Sequence, residues 1–116
     1  MIIYHNPRCS KSREAINLLE KNKCEFTIRE YLKEPLTQKE LKALLQKLAC
    51  KAEAIVRRSE PLYKEKFSGK TITNAQWIKI LSENPILIER PIVIDGEKAL
   101  VGRPPILVLD MIKRKK

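Results

Sequence analysis

The apolar period of the chain changes twice within its first 31 residues, and this change restricts the fold more than any other feature. Ile2-Ile3-Tyr4 is a short apolar run of buried-strand character, closed by the turn signal Asn6-Pro7. From about Ser10 the apolar residues recur at helical spacing. Ala15, Ile16 and Leu19 share one face, while Lys11, Arg13, Glu14, Asn17 and Glu20 occupy the other. Phe26 to Tyr31 returns to a β-rich, partly alternating composition. A strand, a helix and a strand in so short a stretch make a βαβ unit, which favours parallel strands with a right-handed crossover.

The middle of the chain reads as helical. Thr37-Gln38-Lys39-Glu40 has the form of a capping box, and Leu41, Leu44, Leu45 and Leu48 follow at helical spacing. Lys51 to Arg58 reads as a short helix with Ala52, Ile55 and Val56 inward, interrupted at Glu60-Pro61. Thr73-Asn74-Ala75-Gln76 repeats the capping-box form before Trp77, Ile78 and Leu81, and Asn84-Pro85 ends that helix. Ile92-Val93-Ile94 and Ala99-Leu100-Val101 then flank Asp95-Gly96-Glu97-Lys98, in which Asp-Gly is a hairpin signal. Pro104-Pro105 suits the start of a last helix over Ile106 to Ile112. The predicted fold is α/β and thioredoxin-like. One domain over 1–116 holds a four-stranded mixed sheet, with the first and third strands central and adjacent. An all-helical insertion, at about 37–84, separates the βαβ half from the ββα half.

Composition excludes several classes. No strictly apolar run exceeds four residues, so no membrane-spanning helix is expected. Met1-Ile2-Ile3-Tyr4 lacks a basic n-region and a long apolar stretch, so no secretory signal is read there. An odd count of 3 cysteines argues against a disulfide framework and for a reducing compartment, the cytoplasm. The net charge of +10 admits nucleic acid, a membrane surface or a small anion as partner. The basic residues are scattered, with no aromatic interleaving, so no nucleic acid partner is expected.

Cys9 is the sharpest chemical feature. It follows a strand and precedes the first helical turn in Asn6-Pro7-Arg8-Cys9-Ser10-Lys11-Ser12-Arg13. Free N–H groups and the positive end of the helix dipole favour a thiolate there, and Arg8, Lys11 and Arg13 add positive charge. Ser12 stands where a dithiol enzyme would carry its second cysteine, so Cys9 has no local resolving partner. Cys24 and Cys50 read as ordinary, partly buried cysteines. With 1 histidine and widely spaced cysteines, no zinc site is expected. His5 either supports the thiolate, as an imidazolium or through a hydrogen bond, or simply caps the strand end. Arg57, Arg90 and Arg103 sit at element junctions; each alone reads as a surface charge, and together they form a set suited to oxyanions.

These segments resemble a known family. Ile3 to Arg13, with Tyr4-His5-Asn6-Pro7-Arg8-Cys9 at its centre, looks like the thiol loop of the glutaredoxin-coupled arsenate reductase (ArsC) family. Pro85 to Val93 resembles its second signature, Gly102-Arg103-Pro104-Pro105 with Val108-Leu109-Asp110 its third, and Ile55 to Tyr63 its insert. The Ile106-Leu107 pair is more apolar than that pattern. The resemblance implies Cys9 as nucleophile, Arg57, Arg90 and Arg103 as the oxyanion-binding set, His5 and Ser12 as supports of the thiolate, and Pro91 as a cis-proline. It implies arsenate or a similar oxyanion as substrate, no bound cofactor, and glutathione and glutaredoxin as reductants. Two other readings share the motifs: a glutathione-dependent thiol oxidoreductase, and a Spx-type regulator that binds RNA polymerase. Many such regulators carry Cys-x-x-Cys, and Ser12 counts against that reading.

Overall fold

Backbone hydrogen bonding in a computed structural model of the protein, which describes residues 1–113, joins four strands into one mixed sheet. The strands are β1 (Ile2–Tyr4), β2 (Thr27–Arg29), β3 (Ile92–Asp95) and β4 (Lys98–Val101), in the order β2-β1-β3-β4. The described α-helices are α1 (Ser10–Lys21), α2 (Gln38–Leu48), α3 (Pro61–Lys66), α4 (Asn74–Glu83) and α5 (Val108–Lys113). Strand β1 pairs parallel with β2, as the βαβ reading requires, and antiparallel with β3. β1 and β3 are therefore central and adjacent, and the fold is the expected thioredoxin-like α/β arrangement. The β3–β4 hairpin turns on Gly96 and Glu97, because Asp95 already pairs with Lys98. Gly96 has φ +60°, a conformation that side chains with a Cβ disfavour.

The chain divides into two compact units. The first consists of Met1–Glu34 and the segment from Arg90 onward. Its core is one apolar cluster of Ile3 from β1, Ala15 and Leu19 from α1, Val93 from β3, and Val108 and Met111 from α5. Alternation along β1 and β3 and a 3.6-residue period along α1 bring these side chains to the same layer. Met1, Ile16, Leu18, Cys24, Phe26 and Leu100 close the cluster at its margin.

The second unit is Pro35–Glu89, close to the span of the expected insertion. Both capping boxes are formed. Thr37 Oγ1 accepts from Glu40 N–H at 3.1 Å and Thr37 N–H donates back to Glu40 Oε1 at 3.1 Å. Thr73 and Gln76 repeat the exchange at 3.2 and 2.9 Å. Helix α2 buries Leu41, Leu44 and Leu45 and packs against α4, which buries Trp77, Ile78 and Leu81. Trp77 also stacks on Tyr63, at 6.3 Å between ring centroids, and meets Phe67 at 5.7 Å, so α3 is anchored by aromatic packing.

Four local expectations are corrected. The helix expected over 51–58 is only a 3₁₀ turn, Ala52–Ile55. Val56 leaves helical geometry to bridge Ile88, and its neighbours follow. Arg57 N–H donates to Leu87 O at 2.7 Å and Glu89 N–H to Ile55 O at 2.8 Å, so sheet-like bonds replace helical ones. Pro61 begins a helix instead of merely interrupting one, since proline at N1 lacks only an N–H that is unpaired there anyway. The last helix starts late. A 3₁₀ turn, Pro105–Leu107, precedes α5. Strand β2 is also shorter than the β-rich run 26–31. Among the described residues no helix is long and apolar enough to cross a membrane.

Candidate active site

The loop between β1 and α1 is held by its own hydrogen bonds. Asn6 O accepts from Cys9 N–H at 2.9 Å, and Asn6 Oδ1 accepts from Arg8 N–H at 3.0 Å. Arg13 reaches back with Nη1 to Pro7 O at 2.9 Å. These bonds leave Cys9 at the N-cap of α1, with extended φ −92° and ψ 121°. A residue in that position stands beside the N–H groups that have no intrahelical acceptor. Burial works to raise the Cys9 thiol pKa, but it is outweighed. The first-turn N–H groups of Ser12 and Lys11 and the Arg90 guanidinium, with its charge, favour the thiolate, although the Cys9 side chain closes no capping hydrogen bond to the helix. Together they bring the pKa down to about 7.

Arg90 reaches this thiol from the opposite segment of the first unit. It is a buried arginine, 9% exposed, at the entrance to β3. The Arg90–Pro91 peptide is cis, and so is Arg103–Pro104, which the sequence reading did not anticipate. Gly102 N–H donates to Pro91 O at 2.8 Å. A Cβ on Gly102 would meet Val108 Cγ1 at 3.0 Å and Pro91 Cγ at 3.1 Å, tighter than an ordinary contact, so a side chain there would have to push these neighbours aside by a few tenths of an ångström. Arg103 is exposed, and its Nη1 lies 3.5 Å from Arg90 O. Within the first unit the structure thus gathers Cys9, Arg90, Pro91 and Arg103 on two neighbouring loops and one helix N-terminus.

His5 and Ser12 sit beneath the loop, at 7% and 0% exposure. His5 N–H continues the β1–β2 ladder by donating to Arg29 O at 2.9 Å. Burial, the main cause, lowers the His5 pKa; Glu30 opposes the shift and Arg13 adds to it. This direction favours the neutral imidazole over the imidazolium. Its Nδ1 is buried without a hydrogen-bond partner among the described residues. Ser12 contributes its N–H to the sulfur, while its Oγ accepts from Asn6 N–H at 3.4 Å.

A family model, described as the ArsC family, matches residues 4–111. The chain belongs to the ArsC family. It is 43% identical over 112 residues to the uncharacterized protein YfgD of Escherichia coli, covering 95% of this chain and 94% of that one. It is 41% identical over 114 residues to an arsenate reductase of Haemophilus influenzae, covering 97% and 98%. Among solved structures, an arsenate reductase from Vibrio cholerae superposes with a TM-score of 0.89 at 41% identity, over 94% of each chain.

In this ArsC-family chain the third expected arginine, Arg57, belongs to the second unit. There its Nε pairs with Glu60 Oε1 at 3.2 Å, with the two side chains 14% and 15% exposed. The other cysteines are free thiols, like Cys9. Cys24 Sγ lies 3.9 Å from Asn22 O at the margin of the first unit's core. Cys50 has its pKa raised by burial, the opposite of activation. Among the described residues no three His, Cys, Asp or Glu side chains cluster as a metal site requires. Two residues beyond the expected set shape the site. Asn6 was readable only as a turn former before Pro7, and its burial at 7% exposure is what marks it. Gly102 was readable only as part of a motif, and its contact with Pro91 gives the reason for glycine.

Proposed function

We propose that the protein is an arsenate reductase in which the Cys9 thiolate is the nucleophile and glutathione with glutaredoxin is the reductant. The observation that carries this reading is a thiol at a helix N-cap position, with its pKa brought down to about 7 and a buried arginine beside it, in a chain of the ArsC family. The arsenate reductases of Haemophilus influenzae and Vibrio cholerae, alike over nearly the whole chain, support the substrate. Cys9 Sγ would bond to arsenic(V) as an oxygen leaves as water. Arg90 and Arg103 would neutralise the remaining oxygens, which carry more charge in the transition state. Arg57 joins this set on the resemblance of its segment. Glutathione then displaces a second oxygen from the adduct as water. A glutaredoxin thiolate attacks the glutathionyl sulfur, forming a disulfide as the electron pair of the S–As bond passes to arsenic. Arsenic is now trivalent, and hydrolysis releases arsenite and the Cys9 thiolate. No resident metal or cofactor enters this scheme, and a reducing compartment such as the cytoplasm suits it.

The test is arsenate-dependent NADPH oxidation in a mixture of glutathione, glutathione reductase and glutaredoxin. Wild type should turn over, Cys9→Ser should not, and Cys24→Ser and Cys50→Ser should keep most activity. Arg57→Ala, Arg90→Ala and Arg103→Ala should each lose on the order of 10²–10³ in rate. Lysine at these positions should recover only part, because the two-pronged guanidinium is lost. Reduction of a mixed glutathione disulfide with no arsenate turnover would replace this reading with that of a general thiol oxidoreductase.

A further inference from the structure

We propose that Asn6 is a positioning residue for the reactive thiol: it fastens the loop at three points and thereby keeps Cys9 Sγ beside the first-turn N–H groups of α1. The inference rests on the reading of Cys9 as a thiolate nucleophile. Each of the three bonds uses a different atom of Asn6. Its carbonyl oxygen takes the Cys9 N–H at 2.9 Å, its side-chain Oδ1 takes the Arg8 N–H at 3.0 Å, and its own N–H goes to Ser12 Oγ at 3.4 Å.

The third bond ties the loop to the residue whose N–H stabilises the sulfur, so loop and helix share one frame. The second bond is an Asx turn, in which the short amide stands in for a backbone carbonyl. Pro7 follows Asn6 and has no N–H, so the loop cannot form a backbone bond at that position. Asn6 is only 7% exposed, so solvent is poorly placed to replace its amide oxygen. Removing that oxygen leaves the Arg8 N–H without its acceptor in a partly buried loop, a state that relaxes by moving the loop. A loop free to move spreads Cys9 over positions in which fewer N–H groups reach the sulfur. Asn6 touches neither the sulfur nor a substrate in this scheme; it acts through Arg8, Cys9 and Ser12.

The experiment measures iodoacetamide alkylation of Cys9 against pH by peptide mapping in the full chain. It uses wild type, Asn6→Ala, Asn6→Leu and Asn6→Ser. Leucine matches asparagine in size and shape without an acceptor, which covers the case in which the alanine variant fails to fold. Wild type should show a midpoint near 7. The alanine and leucine variants should move upward by about one pH unit, roughly tenfold less thiolate at pH 6. Serine, whose hydroxyl can accept the Arg8 N–H, should restore part of the shift. A folded alanine or leucine variant with the wild-type midpoint overturns the proposal, as does a serine variant displaced as far as alanine. A wild-type midpoint near 8.5 overturns it together with the thiolate reading. Low midpoints in a wild type that fails to reduce arsenate leave Asn6 in its role and remove only the substrate.

Discussion

Burial alone would keep Cys9 protonated, and three donors with one full charge reverse that outcome. The reversal has a consequence for stability. A cysteine in the unfolded chain titrates near 8.5. The folded value of about 7 is lower, so over this range the unfolded state binds more protons. The contribution of Cys9 is fully present above its unfolded pKa and is lost as pH falls through 7. Urea unfolding should show wild type gaining stability over Cys9→Ser between pH 6 and pH 9; a difference that stays flat would refute the depressed pKa. His5 gives a second pH effect. Its folded pKa lies below the ordinary 6.5, so the unfolded chain binds the proton more readily. Wild type should therefore lose stability relative to His5→Gln as pH falls below about 6.5, a window in which Cys9 is common to both proteins.

At the scale of elements, two helices of the second unit are fixed at their N-termini by threonine capping boxes. Thr73 and Gln76 satisfy two N–H groups that α4 would otherwise leave unpaired. Thr73→Ala should cost about 1 kcal/mol in the midpoint of chemical unfolding, and Thr73→Ser should cost little. Helix α2 ends differently. Ala49 follows it in the left-handed region, φ 55° and ψ 44°, where a Cβ crowds the backbone. Glycine is the residue that adopts this conformation without penalty. Ala49→Gly should raise stability by about 1 kcal/mol, the reverse of the usual effect of glycine. A loss of stability would mean that the left-handed cap is absent in solution.

For the molecule as a whole, the first unit is made of chain segments that are distant in sequence. Ile3, Ala15 and Leu19 find Val93, Val108 and Met111 only after the chain returns from Pro35–Glu89. The junction that lets them close passes through Gly102, between β4 and the turn before α5. Adding a methyl group there places carbon at 3.0 Å from Val108 and 3.1 Å from Pro91, both in tightly packed surroundings. Gly102→Ala should destabilise the protein by about 1–3 kcal/mol, as overpacking does elsewhere. It should also raise the Cys9 alkylation midpoint, because Pro91 carries Arg90, and Arg90 donates to the sulfur. A folded Gly102→Ala variant with unchanged stability would show that the return segment yields at no cost.

The amino-acid sequence by itself determined the order of the four strands and of α1, α2, α4 and α5, though not α3, since period changes, capping boxes and turn pairs are short-range signals. Ile2–Tyr4, the α1 face of Ala15 and Leu19, both threonine caps and the hairpin between β3 and β4 were all legible in this way. The thiol loop was legible as a motif, because a cysteine before a helix has the same electrostatics wherever the helix packs. Tertiary structure alone decided the rest. The segment 51–58 has helical composition, yet Val56 and Arg57 take partners near Ile88 that local propensity cannot foresee. Whether His5 is charged depends on how deeply β1 is covered, and burial shifts it toward the neutral form. The roles of Asn6 and Gly102 depend on atoms six and eleven positions away, Ser12 Oγ and the Pro91 ring. No window of sequence contains such contacts, because they exist only where packing brings two segments within van der Waals reach.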